Sequence, residues 1–214
     1  VCLMCVDFEN QEVREMAQSS VPLVTIDHEV PGKDCIFSDN KSGMRDLLAH
    51  VLERGHRRIA FLHGTPSKVT DQRLAAFYEV MEEQNLWQPP EYIFETYYQN
   101  TETEYVAMQK LLALPERPTC VLLTDDYSAL GGIDAIAQAG LRIPEDISIV
   151  GYDGNTLLQK TRPRLTTLRQ DGEEMGKRAA IRLISRIEKP DTELLPPDHV
   201  RGKLLVGETV ARIE

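Results

Sequence analysis

The sequence predicts an α/β fold built on a parallel sheet with right-handed crossovers. Three observations carry that expectation. Short apolar runs recur without polar alternation, as in DISIVGYDG at 146–154, and read as strands covered on both faces. The stretches between them are amphipathic with a period of 3.6 residues. Strand-like and helix-like stretches alternate rather than cluster, which is the pattern of parallel strands joined by crossover helices.

The elements follow in order. VCLMCV at 1–6 opens the chain with no turn or cap before it. VPLVTID, CIFSD, RIAFLHG, YIFETYY, TCVLLTDD and ISIVGYDG follow as strand candidates. In SGMRDLLAHVLERG, residues Met44, Leu47, Leu48, Val51 and Leu52 form one stripe, and Gly55 suits the position just past a helix end. TETEYVAMQKLLAL places Thr101 and Glu104 as a capping box ahead of a Met108, Leu111, Leu112 face. YSALGGIDAIAQAG closes on a terminating Gly140. DGEEMGKRAAIRLISRIEK puts Met175, Ala179, Leu183 and Ile187 on one face, with Asp171 as N-cap. EKPDTELLPPDH, rich in proline and acid, is the best linker candidate. A strand at residues 1–6 needs neighbours, so the expectation is a truncated chain with part of a lobe missing on its N-terminal side.

The 214 residues suffice for one large or two small domains. A net charge of −10, from 24 Lys+Arg against 34 Asp+Glu, argues against this stretch gripping nucleic acid by itself, because neutralising phosphates needs a basic face. The one basic knot, ERGHRRIA at 53–60, reads as a solvated turn. No apolar run has the length of a membrane span, and no cleavable signal pattern opens the chain. Cys2, Cys5, Cys35 and Cys120 are too sparse for a disulfide framework and read as reduced thiols of a cytosolic protein. Cys2 and Cys5 form C-x-x-C inside a strand pattern, where residues three apart point to opposite faces. Both therefore read as buried, apolar-like cysteines.

No metal site or cofactor is expected. The five histidines lack ligand spacing, and nucleophile-elbow, phosphate-loop and dinucleotide motifs are absent from the sequence. What remains is polar residues at strand exits: Ser67, Lys68 and Arg73 after RIAFLHG, Gln99 after YIFETYY, Asp125 and Asp126 after CVLL, and Asp153 after ISIVGY. Each alone is more often a cap or turn residue, and Asp126, before a helix, is the strongest capping candidate. If the strands are neighbours in one parallel sheet, the exits share one edge. Carboxylates, an amide and a guanidinium would then meet in a small-molecule cleft matched to sugar hydroxyls.

These motifs resemble a known family. DNKSGMRDLLAHVLERGHRRIAFLHG, RLAAF at 73–77, TDDYSALGGIDAIAQAGLRIPEDISIVGYDG and RPRLTTLRQDGEEMG together are similar to the lactose-repressor/galactose-repressor group of bacterial transcription regulators, over essentially the whole chain. The resemblance implies a type I periplasmic-binding-protein-like, two-lobed sensor domain that binds effector between its lobes and forms a homodimer. It implies residues 1–38 as the remnant of the N-terminal lobe and 39–168 as the C-terminal lobe. Residues 169–196 would return to the first lobe, and 197–214 would form a tail added to the second. It also implies a cytoplasmic regulator, with operator DNA bound through a helix-turn-helix absent from this chain, and no membrane partner.

Residue by residue, Arg73 falls on the family's effector-clamping arginine and Asp153 on its hydroxyl-binding aspartate. Asp125 stands where the family usually has Asn, Gln99 where members often stack an aromatic on the ligand, Ala76 where they have Gly and Gly154 where they have a second Asp. A carboxylate at 125 beside Asp153 disfavours an anionic effector and suits a neutral or amino sugar. The alternative is a periplasmic sugar-binding receptor of the same fold, against which the thiols and the GHRRIAFLHG match weigh. An enzyme is not expected, since no nucleophile–base pair or metal set can be assembled.

Overall fold

A computed structural model describes residues 1–4 and 10–213. The chain divides into two compact units: Val1–Asn40 with Asp171–Gly202, and Lys41–Gln170 with Lys203–Glu214.

The smaller unit carries a parallel sheet of strands β1 (Cys2–Met4), β2 (Val24–Ile26), β3 (Asp34–Ser38) and β9 (Asp198–Val200), in that spatial order. Helix α1 (Gln11–Gln18) starts at Asn10, whose side chain accepts from the Glu12 and Val13 amides. Helix α6 (Gly172–Glu188) starts at Asp171, which accepts from the Glu174 amide as the sequence predicts. Met175 and Ala179 of α6 are buried against Val24, Ile26, Ile36 and Val200, with Leu183 half-buried beside them. The expected stripe fails at Ile187, which is 60% exposed. Arg182 and Arg186 take the inward turns there, and their guanidinium nitrogens lie 3.6 and 2.5 Å from the carboxylate oxygens of buried Asp34. The expectation of a buried Cys2 is also corrected: it is exposed on strand β1, while Cys5 lies outside the described residues. Cys35 and Cys120 are buried free thiols.

In the larger unit, strands β4 (Ile59–His63), β5 (Ile93–Glu95), β6 (Cys120–Leu122), β7 (Ser148–Asp153), β8 (Thr166–Arg169) and β10 (Lys203–Leu205) form one sheet in the order β10-β8-β7-β6-β4-β5. All neighbours run parallel except β10, which is antiparallel to β8. Helices α2 (Asn40–Leu52) and α3 (Lys68–Glu83) cover one face, and α4 (Thr101–Leu112) and α5 (Ala129–Gln138) cover the other. The period of two sorts the strand residues between the faces. Ile59 and Phe61 pack with Met44, Leu48, Val51 and Phe77. Ala60 and Leu62 pack with Met108, Leu111 and Ile136. Each face is therefore dry, which is why the strands read as unbroken apolar runs.

Helix ends follow local chemistry. Gly55 and Gly140 take φ of +94° and +72°, a conformation that suits glycine at a helix terminus. At α4 the structure departs from the expected capping box. The cap is Asn100, whose side chain accepts from the Thr103 amide at 2.9 Å, while Glu104 turns inward to β6. Strands β8, β9 and β10 and helix α1 are not anticipated by the sequence. The three strands, TTLR, DHV and KLL, each include a charged or titratable side chain in 3–4 residues, so no unbroken apolar run marks them.

Candidate functional site

Strand β4 pairs with β5 on one side and β6 on the other, so consecutive crossovers diverge from it. The carboxyl ends of strands at such a switch point are where open α/β sheets bind ligands. All the sequence-predicted site residues lie at these exits.

After β4, Gly64 leads into the start of α3. Ser67 is the N-cap, its hydroxyl accepting from the Thr70 amide at 3.1 Å, and exposed Lys68 opens the helix. One turn further, Arg73 faces inward and is 5% exposed. Its Nη1 donates to the Thr124 carbonyl at 3.3 Å, reaching from α3 across the switch point to the exit of β6. The guanidinium carbon lies 3.5 Å from the centroid of Tyr152 on β7 and 5.8 Å from that of Tyr98. A fixed cation therefore sits against two aromatic faces, an arrangement that strengthens as water is removed.

Tyr98 is the residue that sequence reasoning missed. It follows β5, its hydroxyl is 2.9 Å from the Thr70 hydroxyl, and its ring lies over Gly64. A Cβ on Gly64 would come within 2.1 Å of that ring, so the glycine makes room for the aromatic. Gln99 stands at the place read as stacking and is exposed at φ +52°. The aromatic is one residue earlier, and the YY pair at 97–98 is the signal that could have located it.

At the exit of β6 the two adjacent aspartates separate. Asp125 is 2% exposed, and its carboxylate accepts from the Gln99 amide, the Ser128 amide and the Ser128 hydroxyl, each at 2.8 Å. Asp126 is 1% exposed and does not cap α5 as expected. It points to the other side, where it accepts from the Thr167 hydroxyl at 2.7 Å and the Asn155 amide at 2.6 Å. The cap-like role falls to Asp125 because alternate side chains of an extended segment point in opposite directions. Burial pushes the Asp126 carboxyl up to about 7, against the pull of its hydrogen bonds from Thr167 and Asn155. Beneath them, fully buried Glu104 accepts from the Thr124 amide at 3.1 Å and its hydroxyl at 2.9 Å. Desolvation pushes Glu104 up to about 7 as well.

Asp153 ends β7 with an exposed carboxylate and a φ of +109°, unusual for any residue but glycine. Its Oδ1 accepts from Gln170 Nε2, at the exit of neighbouring β8. Gly154 follows at φ +77°, and a Cβ there would strike Arg169 at 2.4 Å. That contact accounts for glycine at 154. Ser67, Lys68, Arg73, Gln99, Asp125 and Asp153 thus share one sheet edge, with Tyr152 linking the Arg73 and Asp153 positions through the chain. Concavities of this unit also lie elsewhere. One of about 440 Å³ is lined by Arg58, Trp87, Tyr92 and Glu116. No group of three or more potential metal-ligating side chains occurs among the described residues.

Residues 48–210 match the periplasmic binding protein-like domain. The chain belongs to that family. This periplasmic binding protein-like domain is 33% identical, over all of its length and 64% of the other's, to the HTH-type transcriptional repressor PurR of Mannheimia succiniciproducens. It is 27% identical to a LacI family transcriptional regulator from Mycobacterium smegmatis, with a TM-score of 0.86 over 99% of this chain and 78% of that one. It also matches the transcriptional regulator CelR in its cellobiose complex, at 25% identity and a TM-score of 0.87 over 98% of this chain and 65% of that one. The resemblance read from the motifs is thereby borne out, and the fold is that of LacI-family sensor domains. The chain spans 57% to 64% of the length of the curated relatives it matches.

Proposed function

We infer that this domain senses a small neutral sugar, or a sugar-like molecule, at the carboxyl edge of the larger unit's sheet. In doing so it controls operator binding by the helix-turn-helix head of a dimeric, cytoplasmic transcription regulator. The observation that carries this reading is the placement of buried Arg73 at the switch point, stacked on Tyr152, with the Asp153 carboxylate presented at the next exit. A guanidinium and a carboxylate offer the donor and acceptor geometry that adjacent hydroxyls need. Tyr98 supplies an aromatic face for a sugar ring. Ser67, Lys68 and Gln99 line the same rim, and the exposed Asp153 carboxylate there disfavours an anion beside it. The bound cellobiose of CelR supports the ligand class.

Coupling requires only that the effector bind one conformation of the protein more tightly than another. Exposed Tyr127, Leu130 and Leu157 on the larger unit support pairing with a second copy. The repressor names of the relatives favour regulation over a transport receptor and over catalysis.

The test is a thermal-shift screen of the protein against neutral monosaccharides, disaccharides and sugar phosphates, alongside Asp153→Ala. A ligand at 100 times its Kd adds about 2.7 kcal/mol. The expected result is a neutral sugar that stabilises the wild type and not the variant. A panel that shifts nothing removes the sugar reading, and a sugar that shifts both equally displaces Asp153 from the site.

A further inference from the structure

The β6 exit carries two neighbouring buried carboxylates, and neither has its oxygens turned to open solvent. We propose that Asp125 and Asp126 are positioning residues that set the two halves of the ligand rim: Asp125 holds the loop after β5 through the Gln99 backbone, and Asp126 holds the loop after β7 through the Asn155 backbone. This rests on the sugar-sensing reading of the same edge and deepens it, because it removes Asp125 from the ligand contacts and assigns it to the rim that makes them.

The geometry on each side is specific. Asp125 accepts from the Gln99 amide, and Ser128, whose hydroxyl donates to Asp125, accepts in turn from the Asn100 amide at 3.0 Å. These bonds hold Gln99 at its positive φ and so fix where Tyr98, one residue earlier, lies over Gly64 and Arg73. On the other side the Asp126 carboxylate lies directly across Gly151 of β7. A Cβ at Gly151 would come within 2.1 Å of Asp126 Oδ1, so the strand has a glycine where the carboxylate must pass. Beyond it Asp126 gathers the Thr167 hydroxyl of β8 and the Asn155 amide, two residues after Asp153. The backbone that turns at Asp153 and Gly154 is therefore pinned at its far end by a buried carboxyl group. Hydrogen bonds in a dry, low-dielectric interior are strong and tolerate little displacement. One strand exit thus orients both the aromatic platform and the hydroxyl acceptor of the rim.

The test compares Asp125→Ala, Asp126→Asn and Asp126→Ala in the full chain by amide hydrogen exchange, without ligand, and then by sugar binding. Loss of one of these buried bonds should speed local exchange about tenfold or more. Asp125→Ala should do so at Gln99 and Asn100 and leave Asn155 unchanged. Asp126→Ala should do the reverse, and Asp126→Asn, whose amide oxygen can still accept from Asn155, should recover part of the protection. The neutral sugar that stabilises the wild type in the screen should bind Asp125→Ala and Asp126→Ala about tenfold more weakly at a temperature where each variant is folded, with Asp126→Asn recovering part of the affinity. Exchange that rises equally at both loops, or at neither, overturns the proposal, as does unaltered sugar binding by both Asp126 variants. If no sugar binds the wild type, the sensing reading fails on its own, while the exchange pattern still decides whether each carboxylate holds its loop.

Discussion

Arg73 lies face-on to Tyr152: the guanidinium carbon is 3.5 Å from the ring centroid, and the Arg73 side chain is almost wholly shielded from water. The contact joins α3 to β7 and leaves the charge fixed at the sheet edge. A lysine keeps the charge and loses both the planar stack and the forked donors. Arg73→Lys should therefore lower unfolding stability by about 1–2 kcal/mol and abolish sugar-induced stabilisation. Urea unfolding with and without the screened sugar measures both effects.

Asp153 couples function to strain. Its φ of +109° is costly for a residue with a side chain, typically about 1–3 kcal/mol, against roughly 0.4–1 kcal/mol for the extra unfolded-state freedom of glycine. Strain wins. Asp153→Gly should stabilise the protein by about 1 kcal/mol while eliminating ligand-induced thermal shift. An unfolding midpoint that falls would show that the Gln170 bond outweighs the backbone term.

Gly131 sits where α5 crosses α4. A Cβ there would come within 1.8 Å of the Thr101 carbonyl oxygen, which belongs to backbone and cannot swing aside. Alanine's helix preference is worth only about 1 kcal/mol, and the forced separation costs about 1–3 kcal/mol. Gly131→Ala should be net destabilising, whereas Gly140→Ala, with open space around it, should lose stability only through its φ of +72°. Denaturant midpoints of the two variants separate the causes.

Glu104 should make stability fall as pH rises. Its carboxyl is raised in the folded protein from the ordinary 4.5 to about 7, so the folded state holds a proton that the unfolded state has released. The stabilisation by the neutral form is complete below about pH 4.5 and is lost as pH rises through about 7. Glu104→Gln should flatten the stability profile between pH 5 and 8 by the order of a few kcal/mol. Thermal unfolding across that range reads the difference.

Much of the fold was legible because burial on two faces leaves a direct mark. CVLL and ISIV have no polar alternation, and both strands are sealed by helices on each side. The Met44, Leu47, Leu48, Val51 stripe is buried as its spacing requires. Elements whose stability comes from partners left no such mark: β8, β9 and β10 are short strands whose pairing comes from distant parts of the chain. At the site, the residue types at the strand exits were readable, but their roles were not. Asp125 and Asp126 are chemically identical neighbours, and only the direction each side chain takes assigns them to different loops. The cap of α4 moved by one residue, from Thr101 to Asn100, because Glu104 found Thr124 instead of the helix start.

By itself the sequence determined the alternation of strands and helices, the sheet edge on which polar residues would gather, and the family. Those follow from local periodicity and from motifs that survive as letters. Only the tertiary structure decided that Arg73 would be stacked on Tyr152, that Tyr98 and not Gln99 would offer the ring, and that two adjacent aspartates would serve opposite loops. Hydrogen bonds and stacking depend on the angle and distance at which separate elements meet, and those are set by packing across the sheet.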